Sequence, residues 1–84
     1  MKLTYDPRHN IAYIRLYPKS EQVRTVQVSD ELNVDLAPDG TVYGIELLNA
    51  NAQLSREDGG QLVMLNEATG EQTQIKLPLS SDNK

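Results

Sequence analysis

Leu32-Asn33-Val34-Asp35-Leu36-Ala37-Pro38-Asp39-Gly40-Thr41-Val42-Tyr43-Gly44-Ile45-Glu46-Leu47-Leu48 is the stretch whose reading decides the fold. Leu32, Val34 and Leu36 alternate with Asn33 and Asp35, the period of a strand with one dry and one wet face. Ala37-Pro38-Asp39-Gly40 then places Pro where a turn needs φ near about −65° and Gly where it needs positive φ, so the chain reverses tightly. Thr41 to Leu48 returns as a second strand, with Tyr43, Ile45 and Leu47 on one face and Val42, Gly44, Glu46 and Leu48 on the other. Two strands around a Pro-Asp-Gly turn therefore anchor the middle of the chain.

The same period extends in both directions. Lys2 to Tyr5 reads as a strand closed by the loop Asp6-Pro7-Arg8-His9-Asn10, and Ile11 to Tyr17 follows with Ala12, Ile14 and Leu16 opposite Ile11, Tyr13, Arg15 and Tyr17. Val23 to Val28 reads as a partly exposed strand. Beyond Leu48, residues 49–54 have room for one or two helical turns capped by Asn49, too few to persist without packing. Ser55 to Gly60 reads as a loop, and Gln61 to Asn66 with Gln72 to Leu77 as a hairpin around Glu67-Ala68-Thr69-Gly70-Glu71. The expected fold class is mostly β, or α+β: an antiparallel β-meander or set of hairpins of six to seven strands, with at most one short helix near 49–54. No connection is long enough for a parallel crossover. One β domain is expected over residues 1–79, as a core at 2–54 plus a C-terminal hairpin at 61–77, with 80–84 as a disordered polar tail.

An 84-residue chain has material for one core and buries only roughly 60 to 65 % of the surface its unfolded form exposes, so self-association is a natural supplement to its stability. It has no cysteine, although a small extracellular domain commonly compensates for a thin core with disulfides, and cytoplasmic localisation is expected. Met1-Lys2-Leu3-Thr4-Tyr5-Asp6-Pro7 turns polar too soon for a secretory signal. The run Leu62-Val63-Met64-Leu65 falls far short of the roughly 20 apolar residues of a membrane helix. The net charge of −4 divides unevenly: residues 1–28 carry Lys2, Arg8, Arg15, Lys19 and Arg24 against Asp6 and Glu21, and residues 29–50 carry Asp30, Glu31, Asp35, Asp39 and Glu46 with no base. Without basic runs there is little to neutralise phosphates, so no direct nucleic-acid binding is expected. The charge split reads as mutually attracting surface strands, with a small basic protein partner as the alternative.

Several constellations resemble chemistry. Asp35, Asp39, Gly40 and Glu46 fall at positions 1, 5, 6 and 12 of the EF-hand template, but Ala37 at its third position offers no side-chain oxygen and the flanks alternate as strands instead of helices, so no metal site is expected. His9, the sole histidine, has Asp6 nearby to orient it, yet no cysteine is present and no serine lies in a nucleophile-elbow context. Asp35 and Glu46 are candidates to face each other across the hairpin, without the apolar setting that acid-base work requires. Gly59-Gly60 precedes a strand where a phosphate loop needs a helix. No catalytic residue and no cofactor are expected. Tyr13, Tyr17, Val42 and Leu48 form an apolar set on the face opposite Ile14, Leu16, Ile45 and Leu47, and something must cover it. The candidates are the C-terminal hairpin (Leu62, Met64, Ile75, Leu77) and a second subunit.

Tyr5-Asp6, Ala12-Tyr13-Ile14-Arg15-Leu16, Val34-Asp35 and Asp39-Gly40-Thr41-Val42-Tyr43-Gly44-Ile45-Glu46-Leu47-Leu48 together resemble the small prokaryotic proteins grouped as domain of unknown function 2283, over about residues 2–54. Asn10 stands where members often have Asp, so no role passes to it. The resemblance implies no established activity. Some members resemble antitoxin-like partners of small toxin proteins, which implies an acidic module with a basic partner. The resulting expectation is a non-enzymatic, homo-oligomeric interaction or assembly module, a homodimer in its simplest form and antitoxin-like in its most specific version. The alternative is a small-molecule binder or minor enzyme built around Asp6, His9 and Tyr13.

Overall fold

The computed structural model describes residues 1–18 and 22–79. Those residues form seven strands, one short helix and one 3-10 turn: β1 (Lys2–Asp6), β2 (Ile11–Arg15), β3 (Arg24–Ser29), β4 (Leu32–Leu36), β5 (Val42–Leu48), α1 (Ala50–Leu54), the turn Asp58–Gly60, β6 (Gln61–Leu65) and β7 (Gln72–Lys76). The chain divides into two compact units, Met1–Ala50 and Asn51–Lys84. The expected tail at 80–84 lies outside the described residues.

The first unit is a five-stranded antiparallel sheet in the order β1-β2-β5-β4-β3. The mostly β, antiparallel class is thus the one the alternation implies, but one neighbouring pair is not sequential: β2 pairs with β5, and β4 and β5 separate it from β3. The hairpin read from Ala37-Pro38-Asp39-Gly40 is present. The amide of Gly40 bonds the carbonyl of Ala37 at 2.9 Å, that of Ala37 bonds the carbonyl of Thr41 at 2.8 Å, and Gly40 takes φ +90°. Asp39 closes the loop by accepting the Thr41 amide at 3.0 Å and its hydroxyl at 2.7 Å. β2 stops at Arg15, two residues before its expected end, although the Leu16 amide still reaches the carbonyl of Tyr43 at 2.8 Å. Pro18 has no N–H to give to a ladder, so the pairing ends before it.

The register aligns one apolar face across all five strands. Leu3 opposes Ile14, Ile14 opposes Ile45, Ile45 opposes Val34 and Val34 opposes Val26, while Ala12, Leu47 and Leu32 form the next row. Directly opposed residues share a face, so Tyr13, Glu46, Asn33 and Gln27 form a row on the other side. Two bulges interrupt the ladders. Val28 is skipped between Gln27 and Ser29, and Tyr43 is skipped as Asp35 pairs with Gly44 and Leu36 with Val42.

The second unit carries α1, the 3-10 turn and the separate two-stranded sheet β6-β7. Its hairpin runs in unbroken register from Gln61 opposite Lys76 to Leu65 opposite Gln72. Asn66 nucleates the loop, its side chain accepting the amides of Ala68 and Thr69 at 2.9 and 3.3 Å.

Candidate functional site

Three features of the described residues have the makings of a site: a polar cluster on one face of the five-stranded sheet, a loop cluster at its end, and the apolar face itself.

The polar cluster centres on Tyr13. From β2 its ring crosses β5 over Gly44, the one position there without a side chain, and its hydroxyl donates to Asp35 Oδ2 on β4 at 2.7 Å. Thr25 on β3 donates to the other carboxylate oxygen at 2.5 Å. Four strands are tied by one carboxylate and one glycine. Beside them Asn33 donates to Glu46 Oε1 at 2.8 Å. Asp35 and Glu46 are therefore not directly opposed, because the register sets Asp35 against Gly44 and Glu46 against Asn33. Burial, and next the hydrogen bond to the Asp35 carboxylate, push the Tyr13 phenol well above its ordinary value of 10.0. A hydroxyl so held is neutral at pH 7 and is a hydrogen-bond donor, not a base or nucleophile.

At the end of the sheet, Asp6 Oδ2 lies 2.8 Å from His9 Nδ1, and its Oδ1 accepts the amides of Arg8 and His9 at 2.9 and 3.4 Å. The ring hydrogen bond first, and then the backbone N–H groups, hold the Asp6 carboxyl below its usual range despite some desolvation. Both side chains are open to water, 65 % exposed for His9 and 52 % for Asp6. Asn10 and Asn49 adopt left-handed φ of 58° and 52°. Asn10 donates to Asn49 Oδ1 at 3.3 Å and Asn49 donates to Glu31 at 3.2 Å. The amides of Leu48 and Ala50 reach the carbonyls of Glu31 and Asn10 at 3.0 Å each. These bonds stitch the β1–β2 loop, the β3–β4 turn and the end of β5 together. Asp6 and His9 are brought into contact as their spacing suggested, but the Tyr13 hydroxyl turns to Asp35 instead of joining them.

The set Tyr13, Tyr17, Val42 and Leu48 does not share one face: Tyr13 and Leu48 lie on the polar side, whereas the bulge that omits Tyr43 sets Val42 opposite Leu36, in phase with Leu32 and Val34 on the apolar side. Tyr13 is engaged with Asp35, Val42 and Leu48 stand at opposite ends of β5 with Gly44 and Glu46 between them, and Tyr17 lies beyond β2 with 45 % exposure. The apolar face on the other side is continuous and yet only half covered: Leu3, Ile14, Val26, Leu32, Val34, Ile45 and Leu47 are all half-buried. Ala12 and Ala50 are the buried apolar residues, and no large side chain among the described residues is fully buried. Sequence reasoning missed Asp35, Thr25 and Gly44 as partners of Tyr13. The glycine in an otherwise bulky strand was the available signal, since a strand glycine often marks a close approach.

The described residues of the first unit thus form a five-stranded antiparallel sheet with one apolar face and a cross-strand polar lock on the other. The model of the protein family described as "Protein of unknown function (DUF2283)" matches residues 2–51, and the chain belongs to that family. The matched stretch all but coincides with the first compact unit, and β6 and β7 lie beyond it. No curated protein and no solved structure matches the chain.

Proposed function

We propose that the protein is a non-enzymatic assembly module, a cytoplasmic homodimer in which two copies of the five-stranded sheet close their Ile14 faces against each other. The observation that carries this reading is the half-covered apolar face, with no large side chain fully buried among the described residues. A sheet with one apolar face needs a second layer. Five strands at about 4.8 Å spacing and about 17 Å length outline roughly 400 Å² per copy. Rugged side chains raise the accessible surface buried to on the order of 1,000 Å² across both copies, the lower bound for a specific interface. The polar face supports the same choice, because Tyr13, Asp35, Thr25, Asn33 and Glu46 already satisfy one another there.

Light scattering on the purified chain tests the proposal. The expected mass is at least twice the 9.4 kDa of one chain at high micromolar concentration, and Ile14→Asp, which sets a charge at the centre of the face, should halve it. A strictly monomeric species at that concentration overturns the reading. So does a complex in which a small basic protein replaces the second copy in native lysate.

A further inference from the structure

We infer that β6 is a second self-association site, in which its open edge pairs antiparallel with β6 of another copy to build a four-stranded β7-β6-β6-β7 ribbon. This strand is not part of the Ile14 face and belongs to the segment that follows the family-matched core.

At one end of the hairpin the Leu77 amide bonds the carbonyl of Gly60, and at the other the Asn66 amide bonds that of Glu71. In an antiparallel pair hydrogen-bonded positions alternate, so Leu62 and Met64 spend their main-chain groups on β7, and Val63 and Leu65 point theirs outward. The outward carbonyl of Gln61 joins them, whereas its amide is taken by Asp58 of the 3-10 turn. The sheet has two strands in all, so this edge pairs with no other strand among the described residues. A lone two-stranded hairpin is marginal in water and gains from further strands.

Edges are ordinarily blunted by charge, Pro or a bulge. The other three edge strands here are: β1 carries Lys2 and Asp6, β3 carries Arg24 and the bulge at Val28, and β7 ends in Lys76. β6, Gln61-Leu62-Val63-Met64-Leu65, has no charge, no Pro and no register shift. It also complements itself. A two-fold axis at Val63 sets Val63 opposite its own copy, Leu62 opposite Met64 and Gln61 opposite Leu65, with no like charges in register. Leu62, Met64 and Ile75 share one face of the hairpin and stand 44, 69 and 51 % exposed. Pairing at the edge joins this stripe to its copy as one apolar surface.

Amide-resolved hydrogen exchange on the purified chain at rising concentration tests the inference. The Val63 and Leu65 amides should slow by about tenfold or more between low and high micromolar protein, while Leu62 and Met64, bonded to β7, serve as internal reference. Val63→Pro removes one outward donor without touching the β7 ladder, and should abolish the concentration dependence at Leu65. Val63→Lys and Val63→Glu should each abolish it through like charges meeting at the axis, and an equimolar mixture of the two should restore it. Val63 and Leu65 exchanging at unprotected rates at every concentration overturns the inference, as does undiminished protection in Val63→Lys alone. Ile14→Asp tests the sheet-face reading separately and should leave the Leu65 response intact.

Discussion

Gly44→Ala is the substitution that probes the architecture most directly. A Cβ at Gly44 would stand 2.7 Å from Tyr13 Cε2 and closer still to the ring Cζ and hydroxyl, and the backbone there lies outside the left-handed region, so the tightest conflict is with the Tyr13 ring. To admit the methyl, Tyr13 must swing off Asp35 and give up a hydrogen bond to a charged acceptor, about 1.5–3 kcal/mol. Alanine recovers about 0.5–1 kcal/mol over glycine in a strand. The net loss is about 1–2 kcal/mol, a fall in Tm of about 5–15 °C for a chain of this size. The decisive measurement is a double-mutant cycle by urea and thermal unfolding, followed by circular dichroism. In a Tyr13→Ala background the ring contacts are gone, and Gly44→Ala should be neutral or stabilising by up to about 1 kcal/mol. An equal cost in both backgrounds, or a cost below about 0.5 kcal/mol in the parent, would refute the idea that the tyrosine is what requires this glycine.

The raised Tyr13 phenol predicts an alkaline limit. A group whose folded pKa exceeds its unfolded value contributes stability in full below the unfolded value, about 10, and loses it as pH rises toward the folded one; unfolding free energy measured from pH 8 to 11 should therefore fall more steeply for the parent than for Tyr13→Phe. The lowered Asp6 carboxyl predicts the opposite sign, with its contribution present at neutral pH and lost as pH falls through the depressed value. His9→Ala should raise the Asp6 midpoint toward the ordinary carboxylate value, read from the side-chain carboxyl carbon shift by NMR, and leave the fold unchanged. Gly40→Ala places a side chain at φ +90° with nothing within 4 Å, so its cost should be the left-handed penalty alone, about 1–2 kcal/mol by chemical denaturation.

The strands and most of their faces were legible because burial imposes period two on local sequence, whereas the bulge at Tyr43 moved Val42 to the side of Leu36. Leu32 to Leu36 has the predicted ends, and the Pro38-Asp39-Gly40 turn is where its residue types require it. The strand order was not legible. Nothing in the residues of β2 states that its neighbour is β5 rather than β3, since both present similar alternating faces. The role of Asp35 escaped for a related reason. It lies on the face that alternation labels wet, and which groups meet there depends on register across three ladders, including a bulge that omits Tyr43. Tyr13, read as apolar contact surface, instead carries a long-range hydrogen bond, because a tyrosine's ring and hydroxyl answer to different neighbours.

The order β1-β2-β5-β4-β3 has a kinetic consequence. The β1–β2 hairpin and the β3–β4–β5 block are each closed by short loops and can zip locally, within microseconds for a hairpin. The seam between β2 and β5 instead joins residues 11–15 to 44–48. Its formation must wait until the intervening chain has been drawn in, and the entropy of closing that span sets the pace. Ile14 and Ile45 meet at that seam, so shortening them should slow refolding, while changes in the Pro38-Asp39-Gly40 turn should register chiefly in how readily the β4–β5 hairpin first appears.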